Sequence, residues 1–391
     1  MPSEIFHSRA QEIRNSFSET QVEIIALINA LVEAESPSGD ETGSREVVAL
    51  LAQATKSLNC VSSIETIDVP NFGQHLVISA FNECAGQGNI LLVGHTDTVH
   101  SRGSLAANPW RITGNRIYGP GIYDMKANCV LAIEALRTLE RLQIKPDYGV
   151  TLVLTCDEEV GSFTGWPLLE RLGREARARC ALVLEPSAAG GCVKTARKGT
   201  GMFTMTTQGR AAHAGLEPGK GASAILELAK QIERLHAMNN SGNGISVNVG
   251  VVQGGTRSNV VAAEATAEID VRFSTEAESR EIVSALLNSV PFDDRVRVHV
   301  TGGINRPPLE RTAQVEELYV AARGVAKALD FELGEAHVGG ASDGNFLAAM
   351  GIPVLDGLGI DGDGAHAINE HILADAIPRR GALIAGLIVT L

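Results

Sequence analysis

Short apolar runs bounded by glycine or polar residues are the dominant pattern of this sequence. Each run has the length of a strand that is buried on both faces of a parallel sheet. The runs are residues 90–93, 149–155, 181–184 and 352–355. Apolar residues at helical spacing occur elsewhere, at about 21–34, 43–57 and 126–141. This mixture of buried strands and amphipathic helices predicts an α/β fold.

Side chains that can bind metals or transfer protons follow each of these runs. The set is His95, then Glu158 and Glu159, then Glu185, then His366, with Asp124 at the start of a predicted helix. Because the carboxyl ends of parallel strands meet at one edge of a sheet, we expect these side chains to converge. Taken singly, His95 could also be a surface loop residue and Asp124 a helix N-cap.

The middle of the chain follows a different pattern, which interrupts the α/β region. Strands are predicted at 201–208, 245–252, 264–273 and 295–302, and helices at 220–239 and 276–290. This is the β-α-β-β-α-β order of a ferredoxin-like unit. The sequence therefore predicts three segments: residues 1–194 and 304–391 form a catalytic domain, and residues 195–303 form an inserted domain.

Composition and charge exclude several classes of partner. The 391 residues are 44% hydrophobic and 20% charged, with a net charge of −13. Nucleic acid is not expected as a partner, because its binding requires a basic surface. No apolar run reaches the roughly 18 residues of a membrane span. The N-terminus lacks the pattern of a signal peptide, and the six cysteines form no Cys-x-x-Cys pair. We therefore expect a cytoplasmic protein with free thiols.

Two imidazoles and several carboxylates are sufficient ligands for two divalent cations. Mixed nitrogen and carboxylate ligation suits zinc, with cobalt or manganese as possible substitutes. One carboxylate can bridge two metals, and a glutamate outside the ligand set can act as a general base toward water. Of the adjacent pair, Glu158 and Glu159, one can bind metal while the other stays off it.

The order of these motifs resembles a known enzyme family. The matching motifs are His95-Thr96-Asp97, Gly121-x-x-Asp124-Met125-Lys126, Asp157-Glu158-Glu159-x-Gly161-Ser162, Glu185-Pro186 and His366. They resemble those of the di-zinc metallopeptidases that include aminoacylase, acetylornithine deacetylase, succinyl-diaminopimelate desuccinylase and glutamate carboxypeptidase. The similarity covers essentially the whole chain and is greatest to glutamate carboxypeptidases. It implies a zinc-peptidase-like catalytic domain with a central mixed, mostly parallel sheet.

The resemblance also implies a role for each residue of the motifs. His95 and Glu185 would hold one zinc, and Glu159 and His366 the other. Asp124 would bridge the two ions and be followed by a cis peptide bond.

Three further roles follow from the same resemblance. Glu158 would be the catalytic base, and Asp97 would orient His95. The inserted segment would be a dimerisation domain, so a homodimer is expected. In it, His213 would stabilise the oxyanion of the reaction, in its own subunit or in the partner's; the alternative is a surface loop histidine.

Candidate substrate-binding residues lie mostly in the inserted segment. Arg272 and Asn259 match positions that hold a terminal carboxylate in the family, and Arg suits a carboxylate through its planar fork. Lys198 and Gly340 are expected to line the same pocket. Alternatively, Arg272 pairs only with a neighbour on its own strand.

These expectations favour an enzyme that cleaves an amide or peptide bond next to a free C-terminal amino acid, on a small-molecule or short peptide substrate. The alternatives of the same chemistry are an N-acyl-amino-acid deacylase and a dipeptidase. A catalytically silent zinc-binding protein is a further possibility, but the proposed base and ligands are all present. A dinucleotide-binding enzyme is disfavoured because no Gly-x-Gly-x-x-Gly motif lies between an early strand and helix.

Overall fold

The computed structural model describes residues 4–240 and 244–391. The described chain divides into two compact units. The first unit consists of the described part of Met1–Thr195 together with Arg311–Val338 and Ser342–Leu391. The second unit consists of Ala196–Glu310, as far as described, and Gly339–Ala341.

The helices of the described chain are numbered in chain order. They are α1 (Glu4–Glu19), α2 (Gln21–Glu33), α3 (Glu41–Thr55), α4 (Ala127–Arg141), α5 (Gly165–Glu175), α6 (Ala224–His236), α7 (Glu276–Leu287), α8 (Ala313–Ala328), α9 (Gly344–Ala349) and α10 (Ala376–Thr390). Among the described residues, no helix is both long and apolar enough to span a membrane.

The strands are numbered in the same way. They are β1 (Val61–Val69), β2 (Gly73–Ala80), β3 (Asn89–His95), β4 (Arg111–Thr113), β5 (Arg116–Tyr118), β6 (Gly149–Thr155), β7 (Ala178–Val183), β8 (Val193–Arg197), β9 (Gly199–Gln208), β10 (Ser246–Gly254), β11 (Glu264–Phe273), β12 (Arg297–Arg306), β13 (Glu335–Val338), β14 (Val354–Leu355), β15 (Gly362–Asp363) and β16 (His371–Leu373).

The first unit contains a six-stranded sheet in the order β1-β2-β6-β3-β7-β14. Strands β6, β3, β7 and β14 run parallel to one another, whereas β2 pairs antiparallel with β6 on one side and with β1 on the other. The prediction of a mixed, mostly parallel sheet is therefore confirmed. The four apolar runs of the sequence correspond to the four parallel strands. The last is shorter than predicted, because only Val354 and Leu355 pair with β7.

Burial on both faces explains why these strands are continuously apolar. Every residue of β6 is buried. In β3, Ile90 and Leu92 belong to the main hydrophobic core, whereas the buried Leu91 and Val93 alternate with them and point to the other face. Helices α1, α4 and α10 pack against one another, and α5 and α9 pack against β7. A smaller antiparallel sheet, in the order β15-β16-β5-β4, also belongs to this unit.

The second unit contains an antiparallel sheet in the order β10-β11-β9-β12. Along the chain the elements run β9, α6, β10, β11, α7, β12, which is the predicted ferredoxin-like order. Its own core includes Phe203, Met205, Ile269 and Phe273. The predicted boundary at residue 303 falls inside β12, because that strand stays paired with β9 as far as Arg306.

Candidate metal centre

The predicted ligands lie at or just after the carboxyl ends of the parallel strands. Strand β3 ends at His95, and β6 ends at Thr155, just before the 3₁₀ turn Glu158–Val160. Glu185 follows the end of β7, and His366 follows β14 through a long loop that contains β15. Since β6, β3, β7 and β14 are parallel neighbours, their carboxyl ends share one edge. The convergence expected from the sequence is therefore present in the structure.

Five side chains form two groups that share one aspartate. His95, Asp124 and Glu185 place one potential ligand atom each within 4.8 Å of one another, and so do Asp124, Glu159 and His366. The Nε2 atom of His95 lies 3.3 Å from Asp124 Oδ1 and 3.5 Å from Glu185 Oε1. The Nε2 atom of His366 lies 3.3 Å from Asp124 Oδ2 and from Glu159 Oε2. Each oxygen of Asp124 therefore faces a different histidine.

The tautomer of His95 is fixed by its second nitrogen. Nδ1 lies 3.0 Å from the backbone carbonyl oxygen of Asp97, which can only accept a hydrogen bond. Nδ1 therefore carries a proton, and the lone pair of the neutral ring is on Nε2, which faces Asp124 and Glu185. The carboxylate oxygen Oδ1 of Asp97 lies slightly farther from Nδ1, at 3.3 Å. A metal-binding histidine usually donates its other ring N–H to an acceptor that fixes the ring, and the nearest such acceptor here is the backbone carbonyl of Asp97.

The carboxylate of Asp97 holds the loop that carries the two glutamates. It accepts hydrogen bonds from the backbone N–H groups of Glu158 and Glu159, each at 3.2 Å, and from the hydroxyl of Ser38 at 2.6 Å. The side chain of Glu158 is buried, and it belongs to neither group of potential ligands. Adjacent glutamates therefore have different surroundings, since only Glu159 belongs to a group of potential ligands.

Unsatisfied oxygens show that the two groups fit divalent cations. Glu159 Oε1 is buried and accepts no hydrogen bond, and the buried Asp124 Oδ1 has only Nε2 of His95 nearby, at 3.3 Å. Buried polar atoms without partners are rare in folded proteins and destabilise them. A cation in each group would satisfy both oxygens, and imidazole with carboxylate is a donor set that suits zinc. His95, Asp124, Glu159, Glu185 and His366 thus fit a pair of metal ions.

The pKa values of these groups reflect the concentration of negative charge. Burial alone would lower the pKa of His95, but the facing carboxylates of Asp124, Asp97 and Glu185 outweigh burial and raise it well above its usual value. Asp124 and Glu159 raise the pKa of His366 to about 10. Burial raises the pKa of Glu159. Both imidazoles are therefore surrounded by groups that attract a positive charge.

The backbone around Asp124 has an unusual conformation. Asp124 lies in a π-helical turn, Ile122–Lys126, which leads into α4. The peptide bond between Asp124 and Met125 is cis, as the resemblance implied. Asn128, one turn into this region, is fully buried. It donates to the carbonyl of Tyr123 and accepts from the N–H of Ile360, so it joins this turn to the loop after β14.

His213 and Asn259 lie side by side in the second unit. The N–H of Ala214 donates to the carbonyl of Asn259, and His213 forms a β-bridge with Val260. The Nδ1 atom of His213 accepts hydrogen bonds from the N–H groups of Gly215 and Leu216, each at 3.1 Å. The exposed ring therefore carries its proton on Nε2, which is a hydrogen-bond donor.

Arg272, Lys198 and Gly340 also lie in the second unit. Arg272 makes a two-pronged ion pair with Asp270, its neighbour on β11, through Nε at 2.8 Å and Nη2 at 3.0 Å. This is the contact that the sequence left open as an alternative to substrate binding. Lys198 donates to Ser246, which pairs with Arg272 across the sheet, so the two cations share one region. The carbonyl of Gly340 accepts from the guanidinium of Arg197.

Comparison with known proteins identifies the family. The model described as "Peptidase family M20/M25/M40" matches residues 91–390, which is well over half of the chain. The chain belongs to peptidase family M20/M25/M40. The resemblance found in the sequence is thereby confirmed, and the protein is a metal-dependent peptidase or amidohydrolase of this family.

Individual relatives agree with this assignment. Carboxypeptidase G2 from Pseudomonas sp. (strain RS-16) is 30% identical over 386 residues, which cover 96% of this M20 chain and 90% of the relative. The aminopeptidase PepT from Bacillus cereus has the same fold, with a TM-score of 0.79 at 22% identity over 95% of this chain and 98% of PepT. The YXEP protein of Bacillus subtilis, described as a dinuclear metal-binding M20 peptidase, matches with a TM-score of 0.68 at 14% identity over 96% of this chain and all of that one.

Proposed function

We propose that this M20 peptidase is a dizinc carboxypeptidase, which cleaves an amide or peptide bond next to a free C-terminal amino acid. The observation that carries the proposal is the pair of ligand groups that share Asp124, with Glu158 beside them but in neither group. His95 and Glu185 would bind one zinc, Glu159 and His366 the other, and Asp124 both. Bound zinc would supply Lewis-acid polarisation of the carbonyl and would lower the pKa of water.

Proton transfer is assigned to Glu158. A ligand carboxylate shares its charge with a metal and is a weak base, whereas the buried Glu158 belongs to neither ligand group. It would take a proton from the attacking water onto its carboxylate and then deliver that proton to the leaving nitrogen. Asp97 supports this role, because its carboxylate fixes the backbone of both glutamates.

Residues of the second unit are assigned to the substrate. The proton on Nε2 of His213 makes this side chain a suitable donor for the developing oxyanion. Arg272, Asn259, Lys198 and Gly340 would bind the terminal carboxylate. The ion pair between Arg272 and Asp270 means that a substrate carboxylate must compete with Asp270 or bind a different edge of the guanidinium.

The assembly and compartment are proposals of the same kind. We expect a homodimer formed through the second unit, which sedimentation at micromolar concentration would test; a clean monomer would contradict it. We expect the cytoplasm as the compartment, in agreement with the absence of any disulfide among the six cysteines.

The function is tested with zinc-loaded enzyme and matched substrates. The panel contains N-acyl amino acids, N-carbamoyl amino acids and dipeptides, each as the free acid and as its α-amide. We expect hydrolysis of the free acids to exceed that of the amides at least about tenfold, the effect of about 1.4 kcal/mol of lost interaction. Preference for substrates with a free N-terminal amine, irrespective of the carboxylate, would contradict the carboxypeptidase assignment and favour an aminopeptidase. Activity confined to short N-acyl groups would favour a deacylase.

A further inference from the structure

Glu370 is a fully buried carboxylate of the first unit to which none of the roles above has been assigned. It lies immediately before β16 and four residues after His366. A buried ionisable side chain is expensive unless several hydrogen bonds compensate for the loss of water. The partners of Glu370 therefore indicate what its burial achieves.

Four donors converge on this carboxylate. Oε1 accepts from the backbone N–H groups of Tyr123 at 2.8 Å and Asp124 at 2.9 Å. Oε2 accepts from the N–H of Gly121 at 2.8 Å and from Nε2 of His100 at 2.5 Å. Three of the four donors thus belong to the turn that carries Asp124, and one of them is the N–H of Asp124 itself.

These hydrogen bonds tie together three segments that each carry a potential metal ligand. His100 follows the segment of His95, the bonded N–H groups surround Asp124, and Glu370 follows His366. The segment of His366 has little other support at the ligand itself, because its side chain is 52% exposed. Its φ angle of 63° lies in the left-handed region, which non-glycine residues adopt only when their surroundings impose it.

We propose that Glu370 is a positioning residue that sets the relative placement of the two metal-ligand groups by holding the backbone of Asp124 against the segment of His366. This inference rests on the proposed dimetal function. Glu370 acts through the backbone N–H groups that donate to its carboxylate, not as a ligand itself. Asp124 is shared by both groups, so a shift of its backbone changes both at once.

Glutamine at position 370 could not accept hydrogen bonds from all of these donors. An amide nitrogen is a donor and cannot accept a hydrogen bond. If it replaces Oε2 it faces the N–H of Gly121, and if it replaces Oε1 it faces the N–H groups of Tyr123 and Asp124. In either orientation at least one backbone N–H of the turn loses its acceptor, although the side chain keeps its size.

The test is a cobalt titration of metal-free Glu370→Gln protein. Bound cobalt is followed by its visible absorption spectrum and by metal content. We expect at least one of the two equivalents to bind about 10- to 100-fold more weakly than in the unmodified protein, the usual effect of losing a group that orients a ligand, and we expect an altered spectrum at saturation. At saturating cobalt, kcat should fall while KM stays within about twofold.

Glu227→Gln is the matched control for loss of a buried carboxylate. Glu227 is also buried, and it also accepts backbone N–H groups, those of Phe292 and Asp293, together with the side chain of Gln231. These partners all lie in the second unit, and none of them belongs to either group of potential metal ligands. A general effect of removing such a carboxylate should lower stability in both variants, but only Glu370→Gln should change cobalt affinity and spectrum.

The outcomes separate this inference from the proposed function. Two equivalents bound by Glu370→Gln with unchanged affinity and spectrum would overturn the positioning role, whatever the activity. Two equivalents bound by the unmodified protein without carboxypeptidase activity would contradict the proposed function but leave the cobalt comparison intact. If Glu370→Gln does not fold, His100→Ala removes one of the four donors. We expect this variant to weaken cobalt binding about threefold or more, and unchanged binding would overturn the proposal.

Discussion

Glu158 and Glu159 offer an internal comparison. The same substitution should lower kcat at one position and metal affinity at the other. Glu158→Gln removes the proposed base but none of the potential ligands. Glu159→Gln removes a potential ligand, whose Oε1 is buried without a hydrogen bond and whose Oε2 faces His366 at 3.3 Å. The backbone N–H groups of both residues donate to the carboxylate of Asp97. Neither substitution removes these hydrogen bonds, so both variants should keep the conformation of the loop.

The first substitution should change the rate of the reaction, and the second should change the affinity for metal. General base catalysis contributes about 10²- to 10⁴-fold, so Glu158→Gln should lower kcat by at least about 10²-fold, or about 2.7 kcal/mol at 1.36 kcal/mol per decade. Its metal content should stay at two ions per chain. Glu159→Gln replaces a charged ligand by a neutral one and should weaken binding of one ion at least about tenfold.

The assay measures metal content by mass spectrometry after gel filtration, and kcat and KM at limiting and at saturating zinc. Added zinc should restore part of the activity of Glu159→Gln but none of that of Glu158→Gln. Near-normal kcat in Glu158→Gln would refute its role as base. Loss of one metal from Glu158→Gln, with retention by Glu159→Gln, would show that the two roles are exchanged.

The remaining predictions concern substrate binding, the oxyanion, the metals and a thiol. Arg272→Ala should lower kcat/KM at least about tenfold for an acid substrate but much less for its α-amide; equal losses would mean that Arg272 serves its ion pair with Asp270. His213→Ala should lower kcat about 10²- to 10³-fold with both metals retained, and loss of metal instead would contradict the assignment. Dialysis against a chelator should abolish activity and lower Tm, and zinc should restore both; unchanged Tm would mean that the ligands do not hold metals in the folded state. Burial raises the pKa of the Cys60 thiol to about 12, so its alkylation at pH 8 should be slower than that of an ordinary cysteine and should accelerate only as pH approaches that value.

Much of the first unit could be predicted because its signals are local. A run of apolar residues is sufficient to mark a strand that is buried on both faces, and the direction of parallel strands then fixes where the next residues lie. His95 and Glu185 could thus be placed from two short segments each. The chain order of the second unit was equally visible, since its strands alternate between buried and exposed residues, as in β11.

Long-range hydrogen bonds to the backbone could not be predicted in this way. Glu370 belongs to none of the sequence motifs. Only the structure shows that its carboxylate accepts hydrogen bonds from N–H groups almost 250 positions earlier. For His95 Nδ1, spacing shows only that Asp97 is within reach, and the structure adds that its carbonyl oxygen lies at 3.0 Å and its carboxylate at 3.3 Å. Such contacts depend on how loops close, for which hydrophobic periodicity carries no information.

A catalytically silent protein of the same fold could retain all of these motifs. Presence of the base and of every ligand in a sequence does not by itself establish metal binding, because the ligands stand on loops that are held by other groups. Asp97 fixes the turn of Glu158 and Glu159, and Glu370 fixes that of Asp124, mainly through backbone N–H groups. A chain could therefore keep all the motifs and lose the site. Here these supports are in place, the buried Glu159 Oε1 accepts no hydrogen bond, and the buried Asp124 Oδ1 faces only Nε2 of His95. Because an unsatisfied buried acceptor destabilises a fold by about 1–3 kcal/mol, a cation bound between these carboxylates would stabilise the folded protein.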